Sequence, residues 1–304
     1  MGLTAFPHGV SSFGMPVIGA GPYVTTGNVF FVDSGATNAS DGNAGTSPDK
    51  ALATIDAAVG KCTANNGDII FVMPGHVDTI STATSLVVDV AGVQIIGLGV
   101  GKTRPILDFT ATAGSVELDA ANCRLSNFVL RANVSAVVVA VNVDANDIEI
   151  DHIQTTFDAT GDDFITILDI DAVDDTYVHD CNFVTELTAG ADEAIRLDTA
   201  TRARIVDCRF FGQWAVAAIV AEGALSAGIE MNNLIIYNAD TSVYNGIDMG
   251  TLSVTGVLAN TQITALYTTA VAKIFRDGDL SYHNLSLANA VSEYGAKIVG
   301  TSAA

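Results

Sequence analysis

A six-residue pattern that returns at a nearly fixed interval constrains this chain more than any other feature. IVDCRF (205–210) and VHDCNF (178–183) share it: apolar, any, polar, inward-facing, any, apolar. Looser copies are LSNFVL (125–130), IDHIQT (150–155), MNNLII (231–236), LANTQI (258–263) and YHNLSL (282–287). The fourth position is Phe128, Ile153, Cys181, Cys208, Leu234, Thr261 and Leu285, in steps of 25, 28, 27, 26, 27 and 24 residues. A period of roughly 20 to 50 residues marks a solenoid. Each copy alternates as a short strand does, and none carries a helical stripe. Further short strands, SVELDA (115–120) and AIRLDT (194–199), lie between copies. Two or three strands per repeat make one coil of a parallel β-helix, with coils ~4.8 Å apart. The fold expected is all-β.

The polar position is Asn127, His152, Asp180, Asp207, Asn233, Asn260 and Asn284. Asn and Asp tolerate the left-handed backbone of a sharp corner. These residues are expected to form a structural corner ladder, with His152 a member of it rather than a lone base. The inward column Phe128, Ile153, Cys181, Cys208, Leu234 and Leu285 should stack inside the coil. All four cysteines, Cys62, Cys123, Cys181 and Cys208, are expected to be buried free thiols, since no C-x-x-C pair suggests zinc. VQIIGL (93–98) reads as an irregular eighth coil with Ile96 in the inward column.

The entry to the coils differs. VFFVDSG (29–35) is a strand, and SPDKALATIDAAVGKC (47–62) reads as a capping helix. Ser47 is placed to cap it and Pro48 suits its first turn. Leu52, Ile55, Val59 and Cys62 share one face. A solenoid end exposes strand edges and core side chains, and such a helix would cover them.

Asp41, Gly42, Ser47, Pro48, Lys50, Thr54, Ile55 and Ala58, followed by Pro74 and Gly75, form the spacing D-G-x-x-x-x-S-P-x-K-x-x-x-T-I-x-x-A and then P-G. This resembles the start of right-handed parallel β-helix proteins of the pectin-lyase-like superfamily, over roughly residues 29–288. The resemblance implies a right-handed parallel β-helix with a short N-terminal capping helix and an extended arm. The organisation expected is an arm at 1–28, entry and capping helix at 29–85, coils at 86–288 and a tail at 289–304. The arm, the entry motif and the acidic, Ala- and Val-rich coils together also resemble virion proteins of tailed bacteriophages.

Enzymes of the superfamily cleave polysaccharides, and the resemblance implies that an active member would carry one of their residue sets. The lyase kind resembles aspartates holding calcium beside an Arg or Lys base; no R-x-P-x-x-R occurs here. The hydrolase kind resembles N-T-D, D-D, G-H-G and R-I-K; only Gly161-Asp162-Asp163 answers to it. Acids crowd between Asp158 and Asp180, and Asp162, Asp163, Asp174 and Asp175 are weak calcium candidates. No complete catalytic set and no cofactor are expected. Trp214, the single tryptophan, and Tyr237 could form a small sugar platform, although core packing suits them as well.

Charge narrows the partners. Thirteen Lys and Arg face 34 Asp and Glu, a net charge of −21, which repels nucleic acid and anionic membranes. No apolar run is long enough to span a bilayer, and the N-terminus lacks the pattern of a signal peptide. Apolar residues make up 49% and charged ones only 15%, which suggests that part of the outside is covered by partners. VSAVVVAVNV (134–143) is apolar on both alternating faces, so a covered outer face and self-association are expected; the resemblance implies a homotrimer. The arm carries Pro7, Pro16 and Pro22 yet also Phe6, Phe13, Met15, Val17, Ile18 and Tyr23, expected to order against a partner. The leading reading is a phage capsid decoration or cement protein that docks on the major capsid protein or another virion protein. It would be made in the bacterial host cytoplasm and carried on the capsid surface. The alternatives are a tailspike-like polysaccharide depolymerase and a glycan-binding β-helix.

Overall fold

The computed structural model describes residues 10–12, 15–17, 25–188, 190–222, 226–241, 245–250, 254–265, 273–276, 279–289 and 297–299. The chain is a parallel β-solenoid, the architecture expected of a right-handed β-helix. Each coil contributes one strand to each of three parallel sheets, which hold ten, nine and nine strands among the described residues. Sheet one includes Gln94–Gly97, Arg124–Ser126, Glu149–Asp151, Tyr177–His179, Arg204–Val206, Ile229–Asn232 and Thr255–Ala259. Sheet two includes Val129–Ala132, Gln154–Phe157, Asn182–Val184, Arg209–Gly212, Ile235–Asn238 and Gln262–Ala265. Sheet three includes Val116–Leu118, Val137–Val143, Phe164–Asp171, Glu193–Asp198 and Ile219–Glu222.

Alternation along each strand puts every second side chain inside. In sheet one, Leu125, Ile150, Val178, Ile205 and Met231 stand in register and are buried. Burying each such side chain contributes about 1.5–3 kcal/mol, and the stacked rungs repeat that gain coil after coil.

Sheets one and two meet at a two-residue corner. All seven polar corner residues have positive φ, between 51° at Asn260 and 66° at Asn127. That backbone turns the chain sharply without breaking the coil-to-coil ladder. The corner N–H of Asp207 donates to Asn232 O at 3.0 Å, and that of Asn233 to Ala259 O at 3.1 Å. The next residue faces inward. Its carbonyl accepts from the coil above, as in Gln154 N to Phe128 O, Arg209 N to Cys181 O and Ile235 N to Cys208 O. Phe128, Ile153, Cys181, Cys208, Leu234 and Thr261 are buried, and Leu285 is half-buried against the same core.

Three sequence expectations need correction. Ile96 does not continue the inward column: it pairs with Ser126, and Pro105 O accepts from Val129 N below Phe128. The intervening residues 98–105 replace the tight corner in that coil. Just before them, the next coil comes so close that a Cβ on Gly97 would meet Asn127 O at 2.3 Å. The capping helix is shorter than expected, Ile55–Val59, with Thr54 as its N-cap. Pro48–Lys50 forms only a 3-10 turn. Leu52 is drawn into extended backbone because its N–H donates to Phe31 O and its carbonyl accepts from Asp33 N, while Asp41 Oδ1 accepts from both Ala53 N and Thr54 N. Ile55, Ala58 and Val59 still bury into the first coil. Finally, Cys62 is only half-buried, whereas Cys123, Cys181 and Cys208 are buried; all four are free.

The strand Val137–Val143 corrects the premise of the covered face. Ala140 and Val141 are both fully buried, so the alternation slips by one. The slip recurs at Ile167–Leu168, Ala194–Ile195 and Ala218–Ile219, and the N–H groups of Ala194 and Ile195 both reach Ala218 O. Only Val138 is left prominently exposed, at 53%.

Candidate functional site

The polar column and the outer face of sheet one carry side-chain hydrogen bonds from coil to coil. At its lower end Arg104, from the inserted residues, donates to Asn127 Oδ1 at 2.6 Å and to His152 O. Asn127 Nδ2 in turn donates to Gly97 O at 2.7 Å. Higher up, Asn233 Nδ2 donates to Asp207 Oδ1 at 2.5 Å and Asn284 Nδ2 to Asn260 Oδ1 at 2.8 Å. Asn260 Nδ2 donates to Asn232, one residue short of the corner. The importance of Arg104 was not legible in the sequence, because it lies outside the repeat.

Beside the corner, the outward side chains Arg124, Glu149, Tyr177, Arg204 and Glu230 fall in one register column. Ser126, Asp151 and His179 occupy the neighbouring column. Asp151 is fully buried and accepts from Arg124 Nε at 2.7 Å and Ser126 Oγ at 2.7 Å, with His152 Nδ1 at 2.6 Å. Burial would raise its pKa, but the bonds from Arg124, Ser126 and His152 win and hold it below the usual carboxylate range. Burial would lower His179, yet Nδ1 bonds Asp180 at 2.8 Å and Nε2 bonds Glu149 at 3.1 Å, and its pKa is raised. Its ring stacks on Tyr177, over which Arg204 lies at 4.5 Å from the ring centre.

This arrangement limits the chemistry. Glu149, Asp151 and His179 come close enough to suggest a metal centre. A metal needs a neutral imidazole nitrogen, however, and both nitrogens of His179 face carboxylates that favour the imidazolium. Arg124 also occupies the space between Glu149 and Asp151, at 3.5 and 2.7 Å. Ser126 bonds Asp151 rather than a histidine, so the nucleophile–base pairing of a hydrolase is not assembled there.

Sheet three presents the opposite electrostatics. Asp89, Asp119, Asp144, Asp171, Asp198 and Glu222 form one outward column over successive coils. Among the described residues none of the six forms an ion pair; Arg196 turns instead to Asp169 and Glu193. Burial raises the pKa of Asp119, Asp144 and Asp171, and neighbouring carboxylates raise it further. Glu117, Asp119 and Asp144 offer carboxylate oxygens within 4.8 Å of one another. The sequence carries this signal once per coil, and of the six only Asp171 falls in the acidic run 158–180.

The four calcium candidates are not brought together as one site. Asp162 Oδ2 accepts from Ala159 N at 3.1 Å and Asp163 Oδ1 from Ala136 N at 2.6 Å, whereas Asp174 and Asp175 both pair with Arg202. Trp214 is fully buried and does not join Tyr237; the ring stacked on Tyr237 is Phe211, at 4.8 Å and 15°. In the arm, Met15 and Val17 lie in the strand Met15–Val17, which pairs antiparallel with Val10–Ser12. Phe6, Phe13, Ile18 and Tyr23 lie outside the described residues.

No protein-family model and no curated protein sequence matches the chain. Among solved structures, a rhamnogalacturonan lyase is similar, with a TM-score of 0.45 and 14% identity, covering 90% of this chain and 84% of that one. The three parallel sheets by themselves define the class, a parallel β-solenoid.

Proposed function

We propose that the chain is a structural protein of a bacteriophage virion, most simply a capsid decoration protein that docks through its arm and a lateral face. In this reading it acts as a homotrimer and stabilises the shell by binding its assembled state. The observation that carries it is the closure of the sheet-one network. His179 bonds carboxylates at both nitrogens and Asp151 lies beneath Arg124 and Ser126, an arrangement that favours a scaffold role for this face. The arm and entry motif, which resemble those of virion proteins, supply the rest of the support.

The test is direct. Shells assembled from a tailed-phage major capsid protein are mixed with the purified protein, sedimented and imaged. Regular density on the shell with a raised shell melting temperature is expected; a protein that stays in the supernatant overturns the reading. A glycan-binding role is favoured by one feature, the exposed Phe211–Tyr237 stack. Oligosaccharide-array binding that Phe211→Ala abolishes would establish it instead.

A further inference from the structure

The outward side chains of sheet two form two register columns running the height of the solenoid. The first is Val77, Ile106, Val129, Gln154, Asn182, Arg209, Ile235, Gln262 and Ser286. The second passes through Thr79, Asp108, Arg131 and Thr156 and continues as Val184, Phe211, Tyr237 and Thr264. In a chain of 34 acids, Asp108 is the one carboxylate in these columns, and Arg131 Nε neutralises it at 2.8 Å. With Arg209 added, and with Asp158 at the sheet's edge 3.8 Å from Arg131, the face is close to neutral, while the molecule as a whole stands at −21. It is also where large apolar side chains are left out: Val77 is 37% exposed, Phe211 40% and Ile235 44%.

We infer that the outer face of sheet two is the surface through which copies of this chain pack against one another. Two molecules of like net charge repel wherever acids meet, and like charges brought together at an interface cost several kcal/mol. This face lets copies approach with few opposing carboxylates, since Asp108 and Asp158 both pair with Arg131. A strongly basic partner would be drawn to the column on sheet three instead. A second copy also repeats the same rungs at ~4.8 Å, so its side chains can interleave along the whole height. Phe211 and Tyr237, stacked as a ridge, supply the aromatic anchor that such contacts favour. The assembly leaves the acidic column of sheet three outward in solvent. The inference deepens the self-association proposed above by naming its face, and it holds wherever the assembly acts.

Sedimentation equilibrium of the full chain and of Phe211→Asp, Ile235→Asp and Val138→Asp tests it, with circular dichroism to report the solenoid. Wild type is expected as a multiple of the chain mass, held more tightly as salt screens the residual repulsion. The two sheet-two variants are expected to weaken association at least about tenfold; the sheet-three variant Val138→Asp is expected to match wild type. Phe211→Ser, which adds no charge, covers the case in which an aspartate prevents folding, and is expected to weaken association in the same direction. A wild-type monomer at micromolar concentration overturns self-association altogether. An oligomer that the sheet-two variants leave intact overturns this face alone.

Discussion

Sheets two and three are built from the same coils and differ in what they turn outward. Sheet two shows Val184, Phe211, Ile235 and Tyr237 with one neutralised acid, whereas sheet three shows six carboxylates in a file. The backbone ladder is indifferent to the contrast, because the inward side chains hold both sheets. Outward positions are therefore free to specialise: one face can lower the barrier to association while another keeps the molecule dispersed.

The largest expected effect comes from Arg196, a cation that tempers sheet three. Arg196→Ala leaves Asp169 and Glu193, both nearly buried, without their guanidinium. Chemical denaturation should show a loss of about 3 kcal/mol, the scale for a buried pair that loses one partner. An equivalent loss from Arg209→Ala, on the open face of sheet two, would erase the contrast.

Next comes the seam that bounds sheet two. Asn233→Ala puts an alanine at φ 54° and removes the bond to Asp207, so a loss of about 1–2 kcal/mol is expected. Asn233→Gly should lose less, since glycine accepts that backbone.

Acidity should separate the regions by sign. Asp119, Asp144 and Asp171 have raised folded-state pKa values, so their repulsion is relieved as pH falls through those values. Asp151 and Asp68 are lowered; the stability they contribute is present above the ordinary carboxylate value and lost as pH falls through their own. On acidification from neutrality the melting temperature should first rise, then fall. In the triple variant Asp119→Asn, Asp144→Asn, Asp171→Asn the initial rise should shrink to the part that His179, Asp163 and Glu193 contribute, while the later fall stays. The smallest effect is that of salt: sodium chloride from about 0.01 to 0.15 M should raise the wild-type melting temperature slightly, and the triple variant less.

The winding was legible because a tight corner admits only two residues, one left-handed and one inward, and that pair cannot drift in spacing. The seven corner residues and their inward neighbours could thus be read from local pattern alone. Where the chain departs from two residues, the pattern failed. Residues 98–105 moved Ile96 out of the inward column, and Leu52, an apolar residue at helical spacing, was claimed by the hydrogen bonds of a strand edge. Arg104 acts across coils, through contacts with Asn127 and His152 that no sequence period encodes. The doubled inward pairs of sheet three, such as Ala140–Val141, imitate a strand that is apolar on both sides.

The corner bonds reach only one rung up and one rung down. Removal of residues 208–233 would join Asp207 directly to Leu234, a turn residue followed by a core residue as before, with Cys181 O facing Ile235 N across the splice. Such a molecule would be one storey shorter and would lose the bonds of Asn238 to Trp214 and of Asp240 to Gln213. Height in this protein is a dimension that deletion or duplication of a whole storey can reset while the backbone ladder is kept.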